Sequence, residues 1–302
     1  MKRQFFAMGL LTVFSALSLT TLTNSNVLAR GAGAGLASFK RVTIQDQEPN
    51  NVATGAQRIG ALHFQHIYNI QGKLRASFGS SSIDAADHYS FNVGRKGQYV
   101  ATLDSAQPDA VINLYQNNTL IAQAKSGGKI DRSLDAGDYR LEVTAPPSAR
   151  EFDYKIPLQT PGVPSLRLTV VSAKALSKFD DRLIGFGTEQ ADFRIKPTIA
   201  AQAMTSKKID ENDAPAFNHQ LTFQPTVDQI TVPIGLRLSE EDPGSDETAD
   251  ISPDTNQQDL QLTYVVRTGE VFGSGGLRGK LGEAITVAGT SGKKASITFK
   301  VD

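Results

Sequence analysis

From residue 70 onward the chain is written in short runs that alternate apolar and polar residues. Ile70 to Phe78, Tyr89-Ser90-Phe91-Asn92-Val93, Tyr99 to Leu103, Val111 to Tyr115, Leu120 to Ala124 and Tyr139 to Val143 carry the pattern. A period of two puts one face of an extended strand against a core and the other in water. Turn residues separate the runs: Gly94 to Gly97, Asn117-Asn118, Ser126-Gly127-Gly128 and Asp135-Ala136-Gly137-Asp138. Strands at a spacing of roughly 8–12 residues, joined by such turns, predict an antiparallel sandwich or barrel. No window after the N-terminus sustains a helical period, so the expected fold class is all-β.

The chain has 302 residues, room for about two domains of ordinary size. Thr160-Pro161-Gly162-Val163-Pro164 stops both strand and helix and marks a linker at 161–164. A second β-rich set follows: Leu166 to Val171, Ala191 to Ile199, Leu221 to Phe223, Ile230 to Leu238, Leu260 to Val266, Glu270 to Phe272, Ala284 to Ala288 and Ala295 to Val301. Pro197 inside the second of these argues for an edge strand or a bulge.

The N-terminus reads as a secretory signal over 1–29. Lys2 and Arg3 form a positive start, Phe5 to Leu22 is apolar and softened by hydroxyls, and Val27-Leu28-Ala29 offers small residues for cleavage. Residues 30–46 open with RGAGAGL and are expected to be a flexible leader. Removing Lys2 and Arg3 from 31 basic and 31 acidic residues leaves a net charge of −2. The expected location is therefore exported, periplasmic or extracellular. There is no Cys, so stability must come from packing and from any bound metal rather than from disulfides. No basic stripe is present, which argues against nucleic acid as a partner.

Ser239 to Asp254, SEEDPGSDETADISPD, holds seven carboxylates and no Lys or Arg. Like charges on one loop repel, and water or a cation must lie among them. The bland alternative is a solvated acidic face, since charge runs usually serve solubility. Asp210, Glu211 and Asp213 form a further acidic cluster, read as a polar loop.

The first half resembles the bacterial pre-peptidase C-terminal domain. EPNN at 48–51, DAADHYSFNV at 84–93, INLYQNNTLIA at 112–122 and LDAGDYRLEV at 134–143 carry the likeness, in the family's order. The resemblance covers about residues 47–160 and implies a small β-sandwich of jelly-roll type. It implies a calcium ion shared by Glu48, Asn50 and Asp87, with Asp84 as a further hard-oxygen donor beside them. The competing reading is a capped turn with surface Asp residues.

The second half resembles a C2-type domain over about residues 165–302. The likeness rests on Leu168-x-Val170-x-x-Ala173, on ADFRIKPTI at 191–199, on APAFNHQLTF at 214–223, and on SEED followed by ADIS. Phe217 stands where that family has Trp, Glu240 where it has Asp, and no Tyr follows Asp192. The resemblance implies a second β-sandwich with calcium ligands on two loops at one end. It maps Asp180 or Asp181, and Asp192, to one loop, and Glu240, Asp242 and Asp250 to the other, with Asp246 as an additional candidate.

Enzyme signatures are poorly represented. His63-x-x-His66 lacks the Glu and the helical context of a zinc protease, and on a strand the two rings would point to opposite faces. No G-x-S-x-G is present. Gly-Ser runs such as Gly273 to Gly276 precede no helix and read as hairpin turns. The sequence thus predicts an exported, non-enzymatic binding or adhesion protein that uses Ca²⁺, with polysaccharide, envelope or extracellular protein as partner. A metal-independent structural or accessory subunit is the alternative, followed by a secreted hydrolase or its accessory chain. Membrane lipid is discounted as a partner, because Lys207-Lys208 alone makes no electrostatic anchor.

Overall fold

The computed structural model describes residues 38–75, 84–147, 149–179, 190–241 and 246–302. Among the described residues there is no α-helix, only two short 3₁₀ turns at Ala53–Gly55 and Ser274–Gly276. The signal segment lies outside them.

Eleven strands build the first sandwich: β1 Lys40–Gln45, β2 Gln57–Ala61, β3 His66–Leu74, β4 Ala86–Val93, β5 Gly97–Thr102, β6 Asp104–Ser105, β7 Val111–Gln116, β8 Thr119–Lys125, β9 Lys129–Leu134, β10 Gly137–Thr144 and β11 Phe152–Gln159. One sheet runs β1-β3-β11-β5-β9, with β6 on β11, and the other runs β2-β4-β10-β7-β8. Alternation sets the faces. Tyr89, Phe91 and Val93 of β4 and Leu141 and Val143 of β10 turn inward to meet Ile70 and Leu74 of β3 and Ile156 and Leu158 of β11. The Asn117-Asn118 turn has φ of 48° and 64°, the left-handed geometry of a tight hairpin that Asn tolerates.

The start of this unit departs from expectation. The segment expected as a flexible leader supplies β1, which pairs in parallel with β3 through Val42↔Tyr68 and Ile44↔Ile70. Ile44 is buried in the core, and its burial anchors the strand. A second parallel pair, β2 with β4, follows, so the sandwich is antiparallel except at these two edges.

Eleven more strands build the second sandwich: β12 Leu166–Ala175, β13 Phe193–Ile199, β14 Gln202–Ala203, β15 Ala216–Phe223, β16 Thr231–Glu241, β17 Asp246–Ala249, β18 Leu260–Val265, β19 Glu270–Gly273, β20 Arg278–Lys280, β21 Ala284–Ala288 and β22 Ala295–Val301. Its sheets are β15-β12-β22-β21 and β14-β13-β16-β18-β19-β20, with β17 on β16. Leu168, Val170, Phe193, Ile195, Leu236, Leu238, Ile297 and Phe299 fill the space between them. Pro197 pairs with Leu236 on one side, while on the other β13 meets the two-residue β14 and the irregular segment 204–209, so the proline sits one short strand from the edge.

The acidic stretch is not one loop. β16 carries it to Glu241 and β17 returns it, with Glu240 opposite Glu247 and Glu241 opposite Asp246. Residues 242–245 at the tip lie outside the described set.

Candidate metal centre

Three segments converge at one end of the first sandwich. β1 delivers Asp46, whose N–H donates to the Gln71 carbonyl at 2.8 Å and prolongs the ladder with β3. The chain then turns through Glu48-Pro49-Asn50-Asn51, where the Glu48–Pro49 peptide is cis. The Asn50 carbonyl accepts from the His88 N–H at 3.1 Å, which pins this turn to β4. β4 delivers Asp87, and the alternation that buries Tyr89, Phe91 and Val93 turns Asp87 inward as well. Asp84 precedes β4 and bridges to Arg75.

Ligand oxygens of Asp46, Glu48 and Asp87 all lie within 4.8 Å of one another. Among the described residues this is the one set of three or more acidic or imidazole side chains so placed. Asn50 completes it. Its Nδ2 donates to Asp46 Oδ1 at 2.7 Å and its N–H to Glu48 Oε2 at 3.1 Å. Asn50 and Asp87 are both 0% exposed, and Asn50 Oδ1 and Asp87 Oδ1 have no hydrogen-bond partner among the described residues. A buried, unsatisfied acceptor costs about 1–3 kcal/mol, so two of them among carboxylates call for a positive partner. The Asn51 amide lies against Asp84 Oδ1 and the Ala86 carbonyl, donating at 2.5 and 3.2 Å when its nitrogen faces them and offering a further oxygen when turned over.

Two tyrosines hold the carboxylates from behind. The Tyr89 hydroxyl donates to Asp46 Oδ1 at 2.7 Å, the Tyr154 hydroxyl donates to Asp87 Oδ2 at 2.5 Å, and the two hydroxyls meet at 2.5 Å. This chain links β1 and β11 of one sheet to β4 of the other.

The electrostatics follow from crowding. Burial raises Asp87 to about 8 against the partial relief of the Tyr154 bond, and the charges of Asp46, Asp84 and Glu48 push the same way. Burial, then the neighbouring Glu48, brings Asp84 to about 7. Asp46 is raised chiefly by burial, with its bonds from Tyr89 and Asn50 opposing. Acidic groups that resist ionisation together fit a site whose charge a cation would balance. The donors are all hard oxygens, carboxylate and amide, on an irregular loop. That set suits Ca²⁺, which takes six to eight oxygens at about 2.3–2.6 Å in flexible geometry. It lacks the His or Cys that zinc prefers.

Sequence reasoning named Glu48, Asn50, Asp84 and Asp87, and the structure brings all four to this end. It missed Asp46, hidden in the segment read as a leader, although the Val42-x-Ile44 alternation just before it was a signal.

The acidic end of the second sandwich is arranged differently. Asp192 Oδ2 takes the Lys208 ammonium at 2.9 Å and its Oδ1 accepts from the Glu211 N–H at 2.6 Å. Burial pushes the Asp192 carboxyl up, but these two bonds outweigh it and hold it below the usual range. Lys208 also reaches Asp210 at 2.6 Å. Arg194 pairs with Glu241 at 2.9 Å, and Lys293 pairs with Glu247. Glu240 is buried and its Oε1 accepts from the Asp192 N–H at 3.3 Å. Asp246 is exposed.

Asp250, expected as a cation ligand, is engaged elsewhere. Its Oδ1 accepts from Ser252 N at 3.0 Å, and its Oδ2 accepts from Thr290 N at 2.9 Å, Ser291 N at 2.7 Å and Ser291 Oγ at 3.2 Å. A carboxylate so used fastens the 289–292 turn. Asp180, Asp181 and Asp242 lie outside the described residues. Of the described candidates, Asp192 is paired with a lysine, and Glu240 and Asp250 accept from backbone N–H groups.

No family model and no curated protein matches the chain. Solved structures do. The pre-peptidase C-terminal domain of collagenase from Bacillus anthracis matches at 20% identity over 38% of this chain and 100% of its own, with a TM-score of 0.28. A C2 domain of plant extended synaptotagmin 1 matches at 16% identity over 46% of this chain and 92% of its own, TM-score 0.29. Another C2 domain matches at 14% identity over 46% and 97%, TM-score 0.30. The neighbours thus include the two families that the sequence motifs resemble.

Proposed function

We propose that this chain is an exported, non-enzymatic binding protein that takes up one Ca²⁺ at the first sandwich, through Asp46, Glu48, Asn50 and Asp87, with Asp84 and Asn51 at the margin. The observation that carries the reading is the convergence of three carboxylates within 4.8 Å of one another, beside a buried Asn50 and Asp87 that each keep an oxygen without a partner. The ion would supply positive charge and coordination in place of the missing donors. It would tie β1, the 48–51 turn and β4 together, and so brace both sheets at one end.

A trough of about 650 Å³ opens beside this centre, with Asp46 and Tyr154 on its wall and Gln45, Gln71, Ser105 and Lys155 along it. A braced rim of this kind would present a fixed polar surface to a polysaccharide, an envelope component or an extracellular protein. The absence of a nucleophile-and-base pair from the sequence motifs supports a binding rather than a catalytic role.

Calorimetric titration of EGTA-stripped protein with Ca²⁺ tests the reading, together with thermal melts in Ca²⁺ and in EGTA. At 100-fold excess over Kd the ion would add about 2.7 kcal/mol, enough to raise Tm by several degrees. No heat and no shift would favour the metal-independent structural subunit instead.

A further inference from the structure

The two sandwiches meet at a seam that gathers positive charge around a pair of histidines. Phe64, from the turn before β3, is 8% exposed and packs into the core of the second sandwich. Arg95, in the turn between β4 and β5, lies 5.7 Å from the Phe64 ring centroid and donates to the Tyr264 hydroxyl at 2.9 Å. Arg267 of the second sandwich donates to Asn92 Oδ1 at 2.8 Å. Lys40 of β1 reaches Asp228 of the second sandwich at 2.5 Å. Gln65 N donates to the Pro161 carbonyl at 2.5 Å.

His63 and His66 sit inside this set. The sequence expectation placed them on opposite faces of a strand, but His63 lies in the turn before β3 and the ring centroids are 5.6 Å apart. His66 is buried, with its ring stacked 5.7 Å from Tyr68. Its Nδ1 is 2.7 Å from the Phe64 carbonyl, so that nitrogen carries the proton of the neutral ring and Nε2 is the atom that titrates. Its N–H donates to Thr160 Oγ1 at 2.8 Å, at the start of the connection to the second sandwich. The groups facing the pair are Lys40, Arg267 and Tyr68, with Asp228 as the facing carboxylate, already held by Lys40.

We propose that the His63–His66 pair makes the seam between the two sandwiches a pH-sensitive joint, closed while both rings are neutral and loosened when they are protonated. Protonation places two like charges on adjacent rings, beside Lys40 and Arg267, with one carboxylate to offset them. It also strikes the turn that carries Phe64 into the neighbouring core. Burial lowers His66 from the ordinary 6.5; His63, exposed at the rim of the seam, is lowered by partial desolvation and by the positive charges of His66, Arg267 and Lys40. A lowered histidine contributes stability that is present above its unfolded value and is lost as pH falls through its folded value. Loosening is thus an acid response, complete below the ordinary histidine range.

Small-angle scattering of the Ca²⁺-loaded full chain at pH 7.5 and pH 5.0 reads the joint. The expected result is a longer maximum dimension at pH 5.0 that reverts on neutralisation, with unchanged far-UV circular dichroism. In the His63→Gln/His66→Gln double variant the dimension should no longer change with pH. His63→Gln alone, at the exposed ring of the pair, removes one of the two charges and leaves His66 and the Lys40–Asp228 pair in place; it should move the transition to lower pH and keeps the test open if the double variant folds poorly. A wild-type dimension that is the same at both pH values, or a change that survives in the double variant, overturns the proposal.

Discussion

The Tyr154 hydroxyl donates to Asp87 Oδ2 across the interior of the first sandwich, and the path it takes passes over Gly72. A Cβ at Gly72 would collide with that hydroxyl, so the glycine leaves room for the tyrosine to reach the carboxylate. Gly72 is thereby tied to the candidate centre without offering it a ligand.

Tyr154→Phe keeps the ring and deletes the hydrogen bond. Partners one step behind a ligand commonly change metal affinity by about 10–100-fold, and a loss in that range is expected here by Ca²⁺ calorimetry. Gly72→Ala should lose affinity to a similar degree, because the added methyl displaces the same hydroxyl. Wild-type affinity in both variants would detach the tyrosine from the site.

Asp87→Asn separates two effects with opposite signs. In EGTA the variant removes one buried acid from a crowd of acids and should melt no lower than the wild type. In Ca²⁺ it lacks a ligand, so the stabilisation by the ion should vanish. A variant that still gains several degrees from Ca²⁺ would exclude Asp87 from the centre.

What could be read in advance depended on how far apart in sequence the deciding groups stood. Tyr89-x-Phe91-x-Val93 and Tyr139 to Val143 announce their strands locally, because alternation is a property of neighbouring residues. Glu48 and Asn50 share one turn and were equally visible. Asp46 was not, because its role depends on a six-residue strand that pairs in parallel with β3, and a parallel partner leaves no hairpin turn to betray it. Asp250 misled for the reverse reason. Its carboxylate looked available, but Thr290 and Ser291, forty residues on, claim it.

Among the described residues of the second sandwich, Asp192 and Glu247 should not add to the Ca²⁺ stoichiometry. Lys208 and Lys293 already place ammonium groups on Asp192 and Glu247, and a cation would have to displace them. Titration is expected to give one ion per chain, and Asp192→Asn should leave both number and affinity unchanged. A second ion that disappears in Asp192→Asn would refute this.

Asp250→Ala should destabilise without touching Ca²⁺ binding. The change strips acceptors from three backbone N–H groups, those of Ser252, Thr290 and Ser291. Ser252 is buried, while Thr290 and Ser291 are exposed and water can reach their N–H groups. A buried donor left unpaired costs about 1–3 kcal/mol, so a loss on the order of 2 kcal/mol is expected. Denaturant unfolding measures it, and a loss below roughly 0.5 kcal/mol, the range of ordinary surface changes, would contradict the role given to this residue.

Phe64 offers the sharpest check on how the two sandwiches are built. It belongs by sequence to the first, between β2 and β3, yet it is buried among the residues of the second core. Truncating a buried phenylalanine costs about 3–5 kcal/mol, and the cost should fall on the unit whose core is emptied. If the sandwiches melt separately, the transition that Ca²⁺ shifts belongs to the first and the indifferent one to the second. Phe64→Ala should then lower the Ca²⁺-indifferent transition in differential scanning calorimetry. The Arg95 guanidinium loses the ring it covers, but its bond to Tyr264 gives it a remaining hold, so the seam should weaken rather than part. A variant in which only the Ca²⁺-shifted transition falls would place Phe64 energetically in the first sandwich, against its position in the structure.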